Sequence, residues 1–208
     1  MRAGRKGCLR CLWASTTVIT ARLAEGTTAD ALLLVAEAMD ELIGQGKVDG
    51  STKRTVLRSR IGVAVAKGAP RPDISSLETF KRAMTEARSA CYSRAGQSGI
   101  HFAPLLERIG IADAVNAKAT IIPAGFTAEK LVTGEADIAI QQLSELAVVP
   151  GVEIAGPLPD AAQKVTTFAA AVMTGSAHWE LAEQFVASLT TEAAFAAYDA
   201  ARLDPGHG

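Results

Sequence analysis

The apolar positions of this chain fall into short blocks that switch between a helical and an extended period. From Thr17 to Glu25, Val18, Ile19 and Leu23 recur at helical spacing, and Gly26 supplies a stop. The next block, Ala31-Leu32-Leu33-Leu34-Val35, is a continuous apolar run of strand length. Such a run predicts a strand covered on both faces. Glu37 to Ile43 predicts a helix with Met39, Leu42 and Ile43 inward, closed by Gly44 and Gly46. Ile61 to Val65 alternates and predicts a strand. After the loop Lys67 to Asp73, Ser75 and Glu78 stand at capping-box spacing before a helix.

The alternation continues to the C-terminus. Strands are expected at Ser89–Tyr92, Ala119–Ile122, Asp137–Gln141, Val152–Ile154 and Val165–Met173. Helices are expected at Ser98–Ile109, Thr127–Val132, Gln142–Leu146, Trp179–Leu189 and Glu192–Arg202. Strands that alternate with helices predict an α/β fold with mostly parallel sheets.

Composition narrows the function. Of 208 residues, 49% are hydrophobic but only 5% aromatic, which suits aliphatic helices packed on buried strands. Lys and Arg number 21 against 22 Asp and Glu, so no basic excess favours nucleic acid or an anionic membrane. A small anion is compatible with that balance, because backbone dipoles do not enter net charge. No apolar run approaches the roughly 20 residues of a membrane span, so direct membrane insertion is not expected. Cys8 and Cys11 form a lone C-x-x-C without a second Cys/His pair, so no metal and no cofactor is expected.

Several segments, in order, resemble the molybdate-type substrate-binding proteins, a family of type 2 periplasmic binding proteins. They are Ala14-Ser15-Thr16-Thr17-Val18 leading to Glu25-Gly26, Ala29-Asp30 with the strand that follows, and Met39-Asp40-Glu41-Leu42. Gly46-Lys47-Val48, Arg60 to Val65 and Gly134-Glu135-Ala136-Asp137-Ile138-Ala139-Ile140 complete the series. The resemblance runs from Ala14 to Pro205. It implies two α/β lobes, residues 1–60 with 165–208 and residues 61–164, joined by crossing strands near Ser59–Val63 and Lys164–Phe168. It also implies a ligand cleft, capture of a small oxyanion or carboxylate, and a membrane ABC transporter permease as partner.

The family fold opens with a strand and a helix before the Ser-rich turn. Here Met1 to Trp13 show neither pattern, nor the 7–15-residue apolar stretch of a signal peptide. The expectation is that a strand–helix unit and any export signal are missing. The protein is then periplasmic if the true start carries a signal, and cytoplasmic as the sequence stands.

Three helix starts carry the candidate anion contacts. The unpaired N–H groups and partial positive charge of a helix N-terminus hold oxyanions without any lysine. The first start offers Ser15 and Thr16, where the family's binding serine matches; an ordinary N-cap explains one hydroxyl equally well. The second, Ser93 to Gly99, offers Ser93, Gln97 and Ser98, with Gly96 and Gly99 permitting close backbone approach; a plain strand-to-helix turn is the alternative. The third is the Ala124–Thr127 loop, with Gly125 and Phe126. Gln142 ends a strand where the family has a ligand-contacting tyrosine, and an amide there suits a carboxylate as well as an oxyanion. Arg94, Tyr92 and His101 lie nearby and are read first as a surface, a core and a structural residue.

No catalytic residues are assigned. An enzyme built on Ser93 or Ser98 with His101 as base is the alternative, but no G-x-S-x-G elbow is present. An effector-sensing module would need a DNA-binding helix pair, for which Met1 to Trp13 is too short.

Overall fold

The structure, a computed structural model, describes residues 9–94, 96–123 and 125–206. It divides into two compact units, which are treated separately. One takes the chain up to Arg58, Thr167–Tyr198 and Pro205 onward; the other takes Ser59–Thr166 and Asp199–Asp204.

In the first unit, α1 (Thr16–Ala24) starts at Ser15, whose extended backbone frees its hydroxyl to accept from Val18 N at 3.4 Å. Gly26, at φ +95°, closes the turn after the helix. The apolar run forms β1 (Ala31–Val35), paired antiparallel with β7 (Val165–Val172) from Ala31 opposite Val172 to Val35 opposite Phe168. Leu32 and Leu34 pack with Leu23 of α1 and with Met39 and Leu42 of α2 (Ala36–Gly44). Helix α8 (Trp179–Ser188) also packs against β1, which explains why the run lacks polar alternation. Among the described residues no strand pairs with the other border of β1.

Strand β2 (Arg54–Ala66) runs on from the first unit into the second. There it is flanked by β5 (Ile138–Gln142) and β6 (Val152–Pro157), both antiparallel to it. Strand β3 (Ala90–Ser93) pairs parallel with β5 and with β4 (Thr120–Ile122). Pairing is therefore mixed rather than mostly parallel. The parallel pairs sit where helices cross over: α4 (Gln97–Arg108) and α5 (Ala112–Asn116) between β3 and β4, and α6 (Glu129–Val132) between β4 and β5.

Period-two alternation sorts this sheet into two cores. Ile61, Val63, Ala90, Tyr92, Ile138 and Ile140 face Phe80 and Met84 of α3 (Leu77–Glu86) and Phe102, Leu105 and Leu106 of α4. Ala64, Cys91 and Ala139 face the opposite cluster, with Leu131 and with Leu146 of α7 (Leu143–Ala147). Both faces are buried, so the strands read as unbroken apolar runs.

Two local expectations are corrected. The α3 capping box is built by Ser76 and Thr79, not Ser75 and Glu78. Asp73 accepts from both the N–H and the hydroxyl of Ser75, at 3.0 and 2.7 Å, and this turn moves the cap one residue on. The helix expected over Thr127–Val132 begins at Glu129, because Thr127 is held elsewhere.

Candidate functional site

In the second unit, β4, β3 and β5 run parallel, with Ser93 opposite Ile122 and Cys91 opposite Ala139. Their carboxyl ends therefore lie side by side, the position at which open α/β sheets bind ligands. β3 ends at Ser93, and α4 starts after Gly96, its N-cap. The turn is tight. A Cβ on Gly99 would stand 1.6 Å from the Ser93 carbonyl oxygen, and one on Gly96 would stand 2.8 Å from Ser93 Oγ and 3.8 Å from Ser98 Oγ. Gly99 is thus needed for the helix start to fold onto the strand end, whereas the close contact at Gly96 is with a hydroxyl that can rotate.

Ser93 is 2% exposed, and among the described residues its Oγ has no hydrogen-bond partner. An unpaired buried hydroxyl costs about 1–3 kcal/mol. Here it lies against the first turn of a 12-residue helix, whose leading N–H groups are donors without intrahelical partners. Ser98 is also buried, whereas Gln97 is exposed. The arrangement suits an anion that fills the helix start and accepts from Ser93.

The adjacent loop is fastened by Gln141, a residue whose role the spacing did not reveal. Its amide, 4% exposed, uses both ends. Nε2 donates to the Gly125 carbonyl at 3.0 Å, and Oε1 accepts from Thr127 N at 2.8 Å and Thr127 Oγ1 at 3.0 Å. Gly125 takes φ +100°, which favours glycine, and Phe126 stays 40% exposed between the two clamped residues. Ala124 lies outside the described residues. The neighbouring Gln142 accepts from Ser59 Oγ at 2.9 Å through Oε1. Among the described residues its Nε2 has no hydrogen-bonded acceptor, which leaves two N–H donors.

Glu145, in the first turn of α7, is half-buried. Burial pushes its carboxyl above the ordinary glutamate range, opposed by the Gln142 backbone N–H and the Gln141 amide. A carboxyl raised in the folded state supports folding below its unfolded pKa and loses that support as pH rises through the folded value. Glu145→Gln is therefore expected to raise the melting temperature at about pH 8 and to leave it unchanged at about pH 4. Thermal unfolding at the two pH values checks this; equal shifts at both would exclude the desolvated carboxyl as the cause.

In the first unit, Ser15 spends its hydroxyl on its own helix cap. Thr16 Oγ1 accepts from Val35 N at 3.3 Å, and Val35 is the N-cap of α2. One hydroxyl thus stands between the starts of two helices, and Ser15 beside it is exposed. In the second unit the structure brings together Ser93, Ser98, Gly125, Phe126 and Gln142 at neighbouring strand ends.

Other candidates are structural. His101 Nε2 lies 2.9 Å from the Ala162 carbonyl, so that nitrogen carries the proton and is no base for a serine. Tyr92 is 3% exposed, donates to Asn116 Oδ1 at 2.7 Å and meets Phe102 edge-on. Arg94 is exposed. Asp30, Ser176 and His178 cluster in the first unit, but Ser176 Oγ donates to Asp30 Oδ1 at 2.7 Å rather than to the histidine. That is not a nucleophile–base pair. Among the described residues no group of three or more His, Cys, Asp or Glu is placed to hold a metal; Cys8 and His207 lie outside them. A hollow of about 190 Å³ lined by Thr52, Arg54, Glu183, Gln184, Val186 and Ala187 holds none of the candidates, and Arg54 spends its guanidinium on the Ser51 and Lys53 carbonyls. Among the described residues, no helix is long and apolar enough to cross a membrane.

The model of a family described as bacterial extracellular solute-binding protein matches residues 11–201. Aconitate isomerase from Pseudomonas sp is 37% identical over 185 residues, 88% of this chain and 70% of that protein. The molybdate-binding protein ModA of Mycobacterium tuberculosis is 25% identical over 202 residues, covering 92% and 72%. Among solved structures, the substrate-binding domain of a putative molybdenum ABC transporter from Clostridium difficile superposes with TM-score 0.75 at 12% identity, covering 93% of this chain and 84% of that one. The Azotobacter vinelandii periplasmic molybdate-binding protein superposes with TM-score 0.67 at 18% identity, covering 91% and 84%.

Proposed function

This chain belongs to the bacterial extracellular solute-binding protein family, with the two-lobed type 2 periplasmic-binding-protein fold, and we propose that its ligand is a small organic anion bearing two or more carboxylates. The observation that carries this reading is the unpartnered Ser93 hydroxyl buried at the start of α4. It supplies a donor where a carboxylate would also meet helix N–H groups. Gln142, whose Oε1 accepts from Ser59 and whose Nε2 has no acceptor among the described residues, supports a planar carboxylate beside it. The 37% identical relative is named for a tricarboxylate, which supports the same class over molybdate. The bound anion would pass to an ABC-type permease outside the cytoplasm.

Calorimetric titration with trans-aconitate, citrate, succinate, molybdate and sulfate tests the reading. Carboxylate binding is expected. Ser93→Ala is expected to weaken it about tenfold or more, the worth of a hydrogen bond to a charged group, without lowering the melting temperature of the free protein. Binding of molybdate alone, or of none of these anions, would overturn the proposal.

A second reading, isomerisation of such an acid, is favoured by the same relative's name. A shift of an allylic double bond removes a proton from one carbon and returns one to another. Incubation of either aconitate isomer in heavy water, followed by NMR, decides it. Interconversion with deuterium at carbon supports catalysis, and an unchanged ligand leaves a binding protein.

A further inference from the structure

Phe126 is an exposed aromatic held in place by buried polar groups. The two residues around it are pinned by one side chain, since Gln141 donates to the Gly125 carbonyl and accepts from Thr127 N. Thr127 is fully buried, and its hydroxyl donates to the same amide oxygen. The Phe126 carbonyl in turn accepts from Glu129 N at 3.2 Å. The backbone on both sides of the ring is thereby fixed while the ring remains 40% exposed. Gln141 thus spends its whole amide on fixing the backbone around an aromatic side chain that stays partly exposed.

The place narrows what binds. The Phe126 loop continues from β4, whose Ile122 stands opposite Ser93. Ile100, 55% exposed, lies in the first turn of α4, the helix that follows Ser93. Two exposed apolar side chains thus follow the same strand ends as the unpartnered hydroxyl. Apolar walls with a few convergent donors are the composition of a small-molecule site. A tetrahedral inorganic oxyanion has no apolar surface to place against a ring, whereas an organic acid has C–H or C=C faces between its carboxylates.

We infer that Phe126 is a specificity-determining residue that lays its ring on the carbon skeleton of an organic acid and so selects it over inorganic oxyanions. The inference rests on the reading that this unit binds a carboxylate, and it adds the feature that discriminates among anions.

The test uses the full chain and its Phe126→Ala, Phe126→Leu and Phe126→Ser variants, titrated with trans-aconitate, citrate, oxalate and sulfate; oxalate has carboxylates but no C–H. Phe126→Ala and Phe126→Ser are expected to weaken aconitate and citrate about tenfold, as loss of a buried apolar contact does. Phe126→Leu is expected to stay within about threefold, because its side chain remains apolar. Oxalate and sulfate, where they bind, are expected to change less than about twofold, since neither covers the ring. Unchanged affinity in Phe126→Ala, equal losses for all anions, or Phe126→Ser as good as Phe126→Leu would each overturn the inference while leaving carboxylate binding standing. Failure of the parent chain to bind any carboxylate would remove the functional reading and the inference with it.

Discussion

Gly99→Ala is expected to disable the candidate site and to destabilise the second unit in one step. The added Cβ would lie 1.6 Å from the Ser93 carbonyl oxygen and 2.6 Å from its carbonyl carbon. Those are backbone atoms, so no rotamer change relieves the clash. Either α4 leaves the end of β3, or β3 shifts against its neighbours β4 and β5. Overpacking of this kind costs about 3 kcal/mol or more, which lowers the melting temperature by roughly 6–12 °C for a chain of this size. Carboxylate binding is expected to vanish with it, because the Ser93 hydroxyl and the α4 N–H groups would no longer share one turn. Gly96→Ala is the matched control: its Cβ meets a hydroxyl at 2.8 Å, which can rotate away. A Gly99→Ala protein that melts and binds like the parent would show that the turn is adaptable, and the close-approach argument would fail.

The second large effect is expected from Phe102→Ala. Phe102 is fully buried between Tyr92, 5.2 Å away ring to ring at 64°, and the α3 and α4 side chains of the larger core. Removing a ring from such a position costs about 3–5 kcal/mol, through lost burial and the cavity left behind. Against a total stability of about 5–15 kcal/mol, that is a large fraction. Denaturant unfolding should show a lower midpoint. Both tryptophans, Trp13 and Trp179, belong to the first unit, so the loss must be followed by circular dichroism as well as fluorescence. A midpoint within experimental error of the parent by circular dichroism would contradict the packing described for this core. Separated midpoints from the two probes would show that the units unfold independently, and a single ΔG would then not describe the chain.

How much of this was legible in the chain depends on the range of the interaction. β1 and β5 could be read because Ala31–Val35 and Ile138–Ile140 are unbroken apolar runs, the direct imprint of burial on both faces. The strand at Ile61–Val65 was legible from its alternation, but its extension back to Arg54 was not, since Arg58 and Arg60 interrupt the apolar pattern. Arg60 is compensated from far away: Nη2 donates to Asp204 Oδ1 at 2.9 Å, while Nε sits 2.8 Å from Oδ2, off the N–H axis, as an ion pair. Helix α5 is five residues long, too short for a period to show.

The candidate site divides in the same way. The polar Ser93–Gly99 turn could be located from its glycines and hydroxyls, because the features are local. That the Ser93 hydroxyl is unpartnered could not, since partners come from the tertiary fold. Gln141 reaches Gly125 and Thr127 across 16 and 14 residues, and Thr16 meets Val35 across 19. No local pattern encodes such pairs. Ser15 was matched to a binding serine, and its geometry is that of a helix cap.

Among the described residues the flank of β1 away from β7 carries no strand, which bears on how this unit behaves in company. Ala31 to Leu34 offers amides and carbonyls with no lysine, proline or bulge to repel a newcomer, up to Val35, whose N–H is taken by Thr16, and helices already roof the strand. Any extended greasy peptide that docks along it gains hydrogen bonds without displacing a side chain. Self-association of these residues in a concentrated preparation is expected to begin at this seam.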